Sequence, residues 1–249
     1  METASSELAQ KHIESKTGSK EVYYELRLYT FENLAQQKLI EDFYNLAIPV
    51  LNNLGVEQVG IFKELEPSLP EKLFVLIPYK SLADFSEVNA AMETDLDFQN
   101  SAAVYLNAPP SQPAYVRIES SLMIALKNFP SLVSPKNESR IFELRQYQSA
   151  SEAAGKKKIE MFNDAGEIEI FKRLQFNPVF WGETIIGAER PNLTYMVTFD
   201  DLNDKESKWS NFIDDPQWKE ISSIPEYSND LLINLITSTL LIPSAHSQI

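Results

Sequence analysis

The chain has 249 residues, 43% hydrophobic and 23% charged, a balance that suits a globular protein of one large or two ordinary domains. Its formal charge of −14, from 36 acidic against 22 basic side chains, argues against nucleic acid or anionic lipid as a partner, since both require clustered Lys and Arg. There is no cysteine, and the two histidines, His12 and His246, lie near the termini, so thiolate chemistry, disulfides, Cys-held metals and a Ser-His-Asp triad are not expected.

Residues 1–20, "METASSELAQKHIESKTGSK", lack the basic start and apolar core of an export signal and are expected to form a flexible leader. A cytoplasmic chain and the mature part of an exported, periplasmic bacterial protein both fit this start. No run of about 18 apolar residues is present, so no integral membrane segment is predicted.

The elements then follow in order. "EVYYELRLYT" reads as a strand, rich in aromatic and branched residues. A helix is predicted from about 33 to 54, with Leu39, Phe43, Leu46 and Val50 on one face and Gly55 closing it. "VEQVGIFKEL" and "EKLFVLIPY" are strands flanking the turn "EPSLP". A second helix follows Ser81, and "AYVRIESSLMIAL" closes the unit as a strand. The link "KNFPSLVSPKNES" carries two prolines and places a boundary near residue 136.

The same order then repeats. "SRIFELRQYQ" is a strand, and a helix is predicted from about 151 to 174, with Ile159, Phe162, Ile170 and Leu174 on its apolar side. Lys156 should face Glu160 one turn later, and Gly155 and Gly166 weaken this helix. "PVFWGETIIG" and "NLTYMVTF" flank "AERP", and a helix follows Asp201. Pro216 interrupts that helix, with Asp215 placed to cap a restart through Trp218. "NDLLINLITSTLL" is the last strand.

Glu25 and Glu143 lie 118 residues apart, Leu73 and Leu193 lie 120 apart, and Gly60 and Gly182 lie 122 apart. Near-constant offsets across three elements indicate a duplicated domain, 21–135 and 136–249. Each copy reads β-α-β-β-α-β, the ferredoxin-like order, which leaves one sheet face bare. The predicted architecture is α+β: two tandem ferredoxin-like domains packed sheet to sheet, barrel-like, with helices outside.

"YYELRLY" and "IFELRQY" repeat Glu-Leu-Arg-x-Tyr inside the first strand of each copy. Side chains alternate faces, so Val22, Tyr24, Leu26 and Leu28 form one set and Tyr23, Glu25, Arg27 and Tyr29 the other. The second copy has Phe142 and Leu144 against Ile141, Glu143, Arg145 and Tyr147. The apolar set is expected beneath the helices and the charged set between the two sheets, where charges must be paired. Two readings follow for Glu25, Arg27, Tyr29, Glu143, Arg145 and Tyr147: an ion-pair network that registers the halves, or a pocket that holds an anionic ligand. Trp181, on a strand passing the same space, could line that pocket or pack as core. Trp209, Phe212, Asp215 and Trp218 could form a partner-binding patch, although aromatic residues at helical spacing are more often core. Glu160, Asp164 and Glu167 make an acidic stripe that reads as solvated surface, and no metal or cofactor is expected.

"FELRQY" at 142–147, "PNLTYMVTFDDLNDKESKWSNF" at 191–212 and "DDPQWKEI" at 214–221 resemble the NIPSNAP family, and the resemblance runs from about residue 21 to 245 as two copies. Copy one keeps "YELRLY" and "LFVLIPYKSL" but has Phe98 where a tryptophan is expected, which confines the tryptophan motif to copy two. The resemblance implies a dimeric α+β barrel and no settled enzymatic activity; animal members are regarded as binding or tethering proteins. The expected function is therefore a non-enzymatic scaffold for an unknown small molecule or protein. The alternative is a cofactor-independent, monooxygenase- or lyase-like enzyme, with Arg27 or Arg145 holding an anion, Glu25 or Glu143 as base and Tyr29 or Tyr147 as donor. Homo-oligomerisation is left open.

Overall fold

The computed structural model describes residues 21–136 and 140–249; the leader and His12 lie outside the described residues. In the first half, Tyr23–Phe31 (β1) pairs antiparallel with Glu71–Tyr79 (β3) on one side and Arg117–Ala125 (β4) on the other. Gly60–Glu64 (β2) completes the order β4-β1-β3-β2. The second half repeats it with Ile141–Ser149 (β5), Pro178–Ile186 (β6), Asn192–Phe199 (β7) and Ile233–Pro243 (β8), in the order β8-β5-β7-β6.

The inner sheet faces of the two halves pack against each other, and their edges join as well. β2 pairs with β8 through Phe62–Glu64 and Leu241–Pro243, and β4 pairs with β6 through Leu122–Ala125 and Gly182–Ile186. Together they close one eight-stranded barrel among the described residues. Closure removes the free edges that a four-stranded sheet would expose.

Outside the first half lie Leu34–Asn53 (α1), Leu82–Thr94 (α2), Leu96–Ser101 (α3) and Ala103–Leu106 (α4). Outside the second lie Glu152–Asn163 (α5), Glu167–Arg173 (α6), Leu202–Asp214 (α7), Pro216–Ser222 (α8) and Asn229–Leu232 (α9). Asn33, Ser81, Ser151 and Asp201 each accept a backbone N–H three residues on, the side-chain cap that starts α1, α2, α5 and α7. α1 ends where Gly55 takes φ +96°, a left-handed turn that glycine adopts without a Cβ penalty. Its buried face is Ile40, Phe43, Tyr44, Ala47 and Leu51, rotated from the predicted stripe, and Leu46 is exposed. The predicted helix 151–174 is broken at Gly166, φ +93°, into α5 and α6. Glu160 is held by Lys157 at 2.9 Å and not by Lys156. No helix of the described residues is long and apolar enough to cross a membrane.

The barrel interior is apolar and shared. Tyr24, Phe62, Leu76, Met123, Phe142, Leu144, Phe180, Met196 and Leu241 form one buried cluster drawn from all eight strands. Across the seam, the Tyr24 ring centre lies 5.2 Å from that of Phe180, and Phe62 lies 4.9 Å from Phe142. The two remaining clusters lie between sheet and helices, one per half. The predicted faces are therefore exchanged. Tyr24, Leu26 and Leu28 turn inward, while Tyr23, Glu25, Arg27 and Tyr29 turn outward beneath the helices, as do Glu143, Arg145 and Tyr147. A closed barrel of side chains leaves no room for solvated charge, so its filling is hydrophobic; a helix layer has gaps through which a charged head can reach water.

Candidate functional site

In the first half, Glu25 and Arg27 stand two residues apart on the outer face of β1, close enough for their long side chains to meet. Arg27 donates from Nε to Glu25 Oε1 at 2.7 Å and from Nη2 to Oε2 at 2.9 Å, a bidentate pair. Ser120 of β4 donates to Oε1 at 2.6 Å, and Tyr79 of β3 donates to Oε2 at 3.2 Å. Asn89 of α2 accepts from Arg27 Nη2 at 3.3 Å. Burial alone would raise the Glu25 pKa, but the hydrogen bonds and charge of Arg27, with the bonds from Ser120 and Tyr79, outweigh it and hold the carboxyl below its ordinary value. Beside this pair, Tyr29 and Tyr44 share a hydrogen bond of 2.9 Å and Tyr105 donates to Tyr29 at 3.2 Å. Burial pushes the Tyr29 and Tyr44 phenols well above their ordinary range.

The second half builds the same node with other neighbours. Arg145 donates from Nη1 to Glu143 Oε1 at 2.9 Å, and Ser238 of β8, 118 residues after Ser120, donates to the same oxygen at 2.6 Å. Trp209 of α7 donates from Nε1 to Glu143 Oε2 at 2.8 Å, and its ring centre lies 4.6 Å from the Arg145 guanidinium carbon. Arg145 Nη2 reaches Tyr147 at 3.4 Å, and Tyr147 shares a hydrogen bond of 3.1 Å with Tyr195. Arg145 Nε is buried with no hydrogen-bond partner among the described residues.

Lys158 and Glu167 form a second, fully buried ion pair of 3.3 Å in this half, with the Lys158 amine 4.9 Å from the Phe162 ring centre. Burial raises the Glu167 pKa despite Lys158. Neither residue is read as interior from the sequence: Lys158 ends a run of three lysines, and Glu167 belongs to the acidic stripe. The signal that could have found Lys158 is the 118-residue offset, which sets it on Ile40, a fully buried position.

The other predicted residues are placed as follows. Trp181 is fully buried and stacks on Tyr195 in the outer layer of the second half, with ring centres 5.6 Å apart, so it does not line the barrel interior. Phe212 is buried, and Trp209 and Trp218 pack partly buried against the same cluster. Asp215 caps α8 and receives both Arg173 guanidinium nitrogens at 2.8 and 3.0 Å. This quartet is therefore a packed corner rather than an open patch: Trp209 and Phe212 pack on Phe171, and the helix break at Asp215–Pro216 brings Trp218 onto Phe212.

Two ferredoxin-like halves sharing one closed barrel, with helices outside, define a dimeric α+β barrel whose two subunits are fused in one polypeptide. The NIPSNAP family model matches residues 24–127 and 142–248, and the chain belongs to the NIPSNAP family. No curated protein matches the sequence. Among solved structures, a proposed monooxygenase from Fusobacterium nucleatum is 10% identical, with 89% of this chain and 92% of that one covered at a TM-score of 0.56. An anthrone oxidase-like protein is 10% identical, with 91% and 92% covered at a TM-score of 0.53. A NIPSNAP-family protein of Agrobacterium tumefaciens is 23% identical over 45% of this chain and 95% of its own, at a TM-score of 0.36. At 10% identity the first two likenesses establish the fold alone.

Proposed function

We propose that this NIPSNAP-family chain is a non-enzymatic binding protein, with its helix-covered Glu-Arg-Tyr nodes as the polar floor of each half. One observation carries this reading: the carboxylate at each node is already engaged by the fold itself. Glu25 receives Arg27 twice, Ser120 and Tyr79; Glu143 receives Arg145, Ser238 and Trp209. A general base needs an oxygen within reach of the substrate proton and a pKa near working pH. Glu25 is held below that range, and burial keeps the phenols of Tyr29 and Tyr195 protonated.

A cofactor-independent oxygenase is the competing reading, favoured by the two barrel likenesses, one to a proposed monooxygenase and one to an anthrone oxidase-like protein. The discriminating experiment incubates the purified chain with an anthrone in aerated buffer and follows oxygen uptake. The binding reading expects uptake at the protein-free rate. Uptake above it that disappears in Glu25→Gln or Glu143→Gln, with the fold retained by circular dichroism, would establish the enzyme reading instead.

A further inference from the structure

The two nodes differ at one equivalent position. α2 and α7 have the same length, start from Ser81 and Asp201, and lead into the Asp95 and Asp215 caps, all 120 residues apart, so Asn89 occupies the place of Trp209. In the second half the Trp209 indole lies over Arg145 and fills the space above it. In the first half the shorter Asn89 side chain leaves a cleft of about 180 Å³ over Arg27. The cleft is walled by Phe43, Tyr44, Met92 and Phe98; Asn89 accepts from Arg27, Gln99 lines the cleft while donating to the Met92 carbonyl, and Glu93 is an exposed lining residue. Arg27 gives Nε and Nη2 to Glu25 and Asn89, and Nη1 has no hydrogen-bond partner among the described residues.

We propose that this cleft binds a single-ring aromatic molecule carrying a neutral carbonyl oxygen, which accepts from Arg27 Nη1 while the ring lies among Phe43, Met92 and Phe98. The inference rests on the reading of the chain as a binding protein and adds the place and the ligand class. Size sets the single ring: a dry cavity of about 150 Å³ accepts benzene. Aromatic walls favour an aromatic guest through edge-to-face contacts. Neutrality follows from the charges present, because Glu25 already balances Arg27 and Glu93 adds negative charge at the entrance. The Arg27 side chain is 22% exposed, so the N–H that the protein leaves to solvent can donate to an acceptor oxygen without calling for an anion.

The methionines report on position. Met92 lines the cleft, Met161 lies in the second half's helix layer, and Met123 and Met196 lie inside the barrel. The full chain is labelled with 13C at the methionine methyls, the Met92 signal is assigned through Met92→Leu, and benzamide is titrated with benzoate in parallel. The expected result is a saturable shift of Met92 alone, with benzamide binding at least as tightly as benzoate. Asn89→Trp should weaken benzamide at least about tenfold by filling the cleft, and Asn89→Phe serves if the tryptophan variant does not fold. Shifts at Met123, Met196 or Met161, no shift at all, tighter binding of benzoate, or unchanged affinity in the filled variants would overturn the assignment. The benzamide spectrum in the same tube separates the two levels. Chemical conversion of the probe would refute the non-enzymatic reading, whereas an unmoved Met92 with intact probe refutes only the cleft.

Discussion

Glu143 and Arg145 show how a charged pair survives beneath a helix layer. Glu143 is 1% exposed, and among the described residues its partners all belong to the second half. Removing one member leaves an uncompensated buried charge, whereas removing both need not. Glu143→Leu is expected to cost about 3–5 kcal/mol in urea unfolding, with most of the loss recovered when Arg145→Met is added. A single change costing under about 1 kcal/mol would mean that the node behaves as a solvated surface pair. Glu25 makes the equivalent case for pH. Its folded pKa is lowered, so its contribution is fully present above the ordinary glutamate value of about 4.3 and is lost as pH falls through the folded value. The stability gap between the parent and Glu25→Gln should therefore shrink as pH is taken from 7 to 3, and a gap independent of pH would contradict the assignment. Glu167 runs in the opposite sense: its pKa is raised, so its contribution is present below the ordinary value and fades as pH rises.

At the scale of elements, caps and breaks decide which helices form, and these were mostly legible. Ser81, Asp201 and Asp215 act as N-caps where the sequence placed them, and Gly166 breaks the long second helix that it was expected only to weaken. Asp215→Ala should cost about 1 kcal/mol through the lost cap, plus whatever the Arg173 contact contributes, measured as a fall in the urea midpoint with an unchanged slope. A change below a few tenths of a kcal/mol would show that Pro216 alone fixes the start of α8. What sequence reading missed were the exceptions to local pattern. Three consecutive lysines read as solvated, yet Lys158 points inward; it can do so only because Glu167 and the Tyr147, Phe162 and Trp218 rings receive it. Asn89 is unremarkable within its own helix and gains meaning only when set beside Trp209.

For the whole molecule, duplication and architecture were readable from three near-constant offsets, but the orientation of β1 and β5 was not. Both faces of these strands are buried, so alternation sorts side chains into two sets without saying which set lies inside. Closure decides it: a barrel interior shared by eight strands admits Tyr24, Phe62, Phe142 and Phe180 and sends the charges outward. Of the two glycines that marked the repeat, Gly182 lies at a seam of this closure and Gly60 makes room for a ring of the interior. A Cβ on Gly182 would lie 2.9 Å from Met123 Cβ across the β4–β6 seam, and one on Gly60 would lie 2.5 Å from the Phe62 ring. Gly182→Val is accordingly expected to destabilise by about 1–3 kcal/mol and to speed hydrogen exchange of the β4 and β6 amides ahead of those of β5 and β7. Uniform exchange across all four strands would contradict a seam-specific role. The separation of the two nodes is tested most directly by a double-mutant cycle between the halves, using Glu25→Gln and Glu143→Gln in urea unfolding. Nodes in separate helix layers predict additivity within about 0.5 kcal/mol; a coupling energy above about 1 kcal/mol would mean that the two carboxylates meet across the barrel after all.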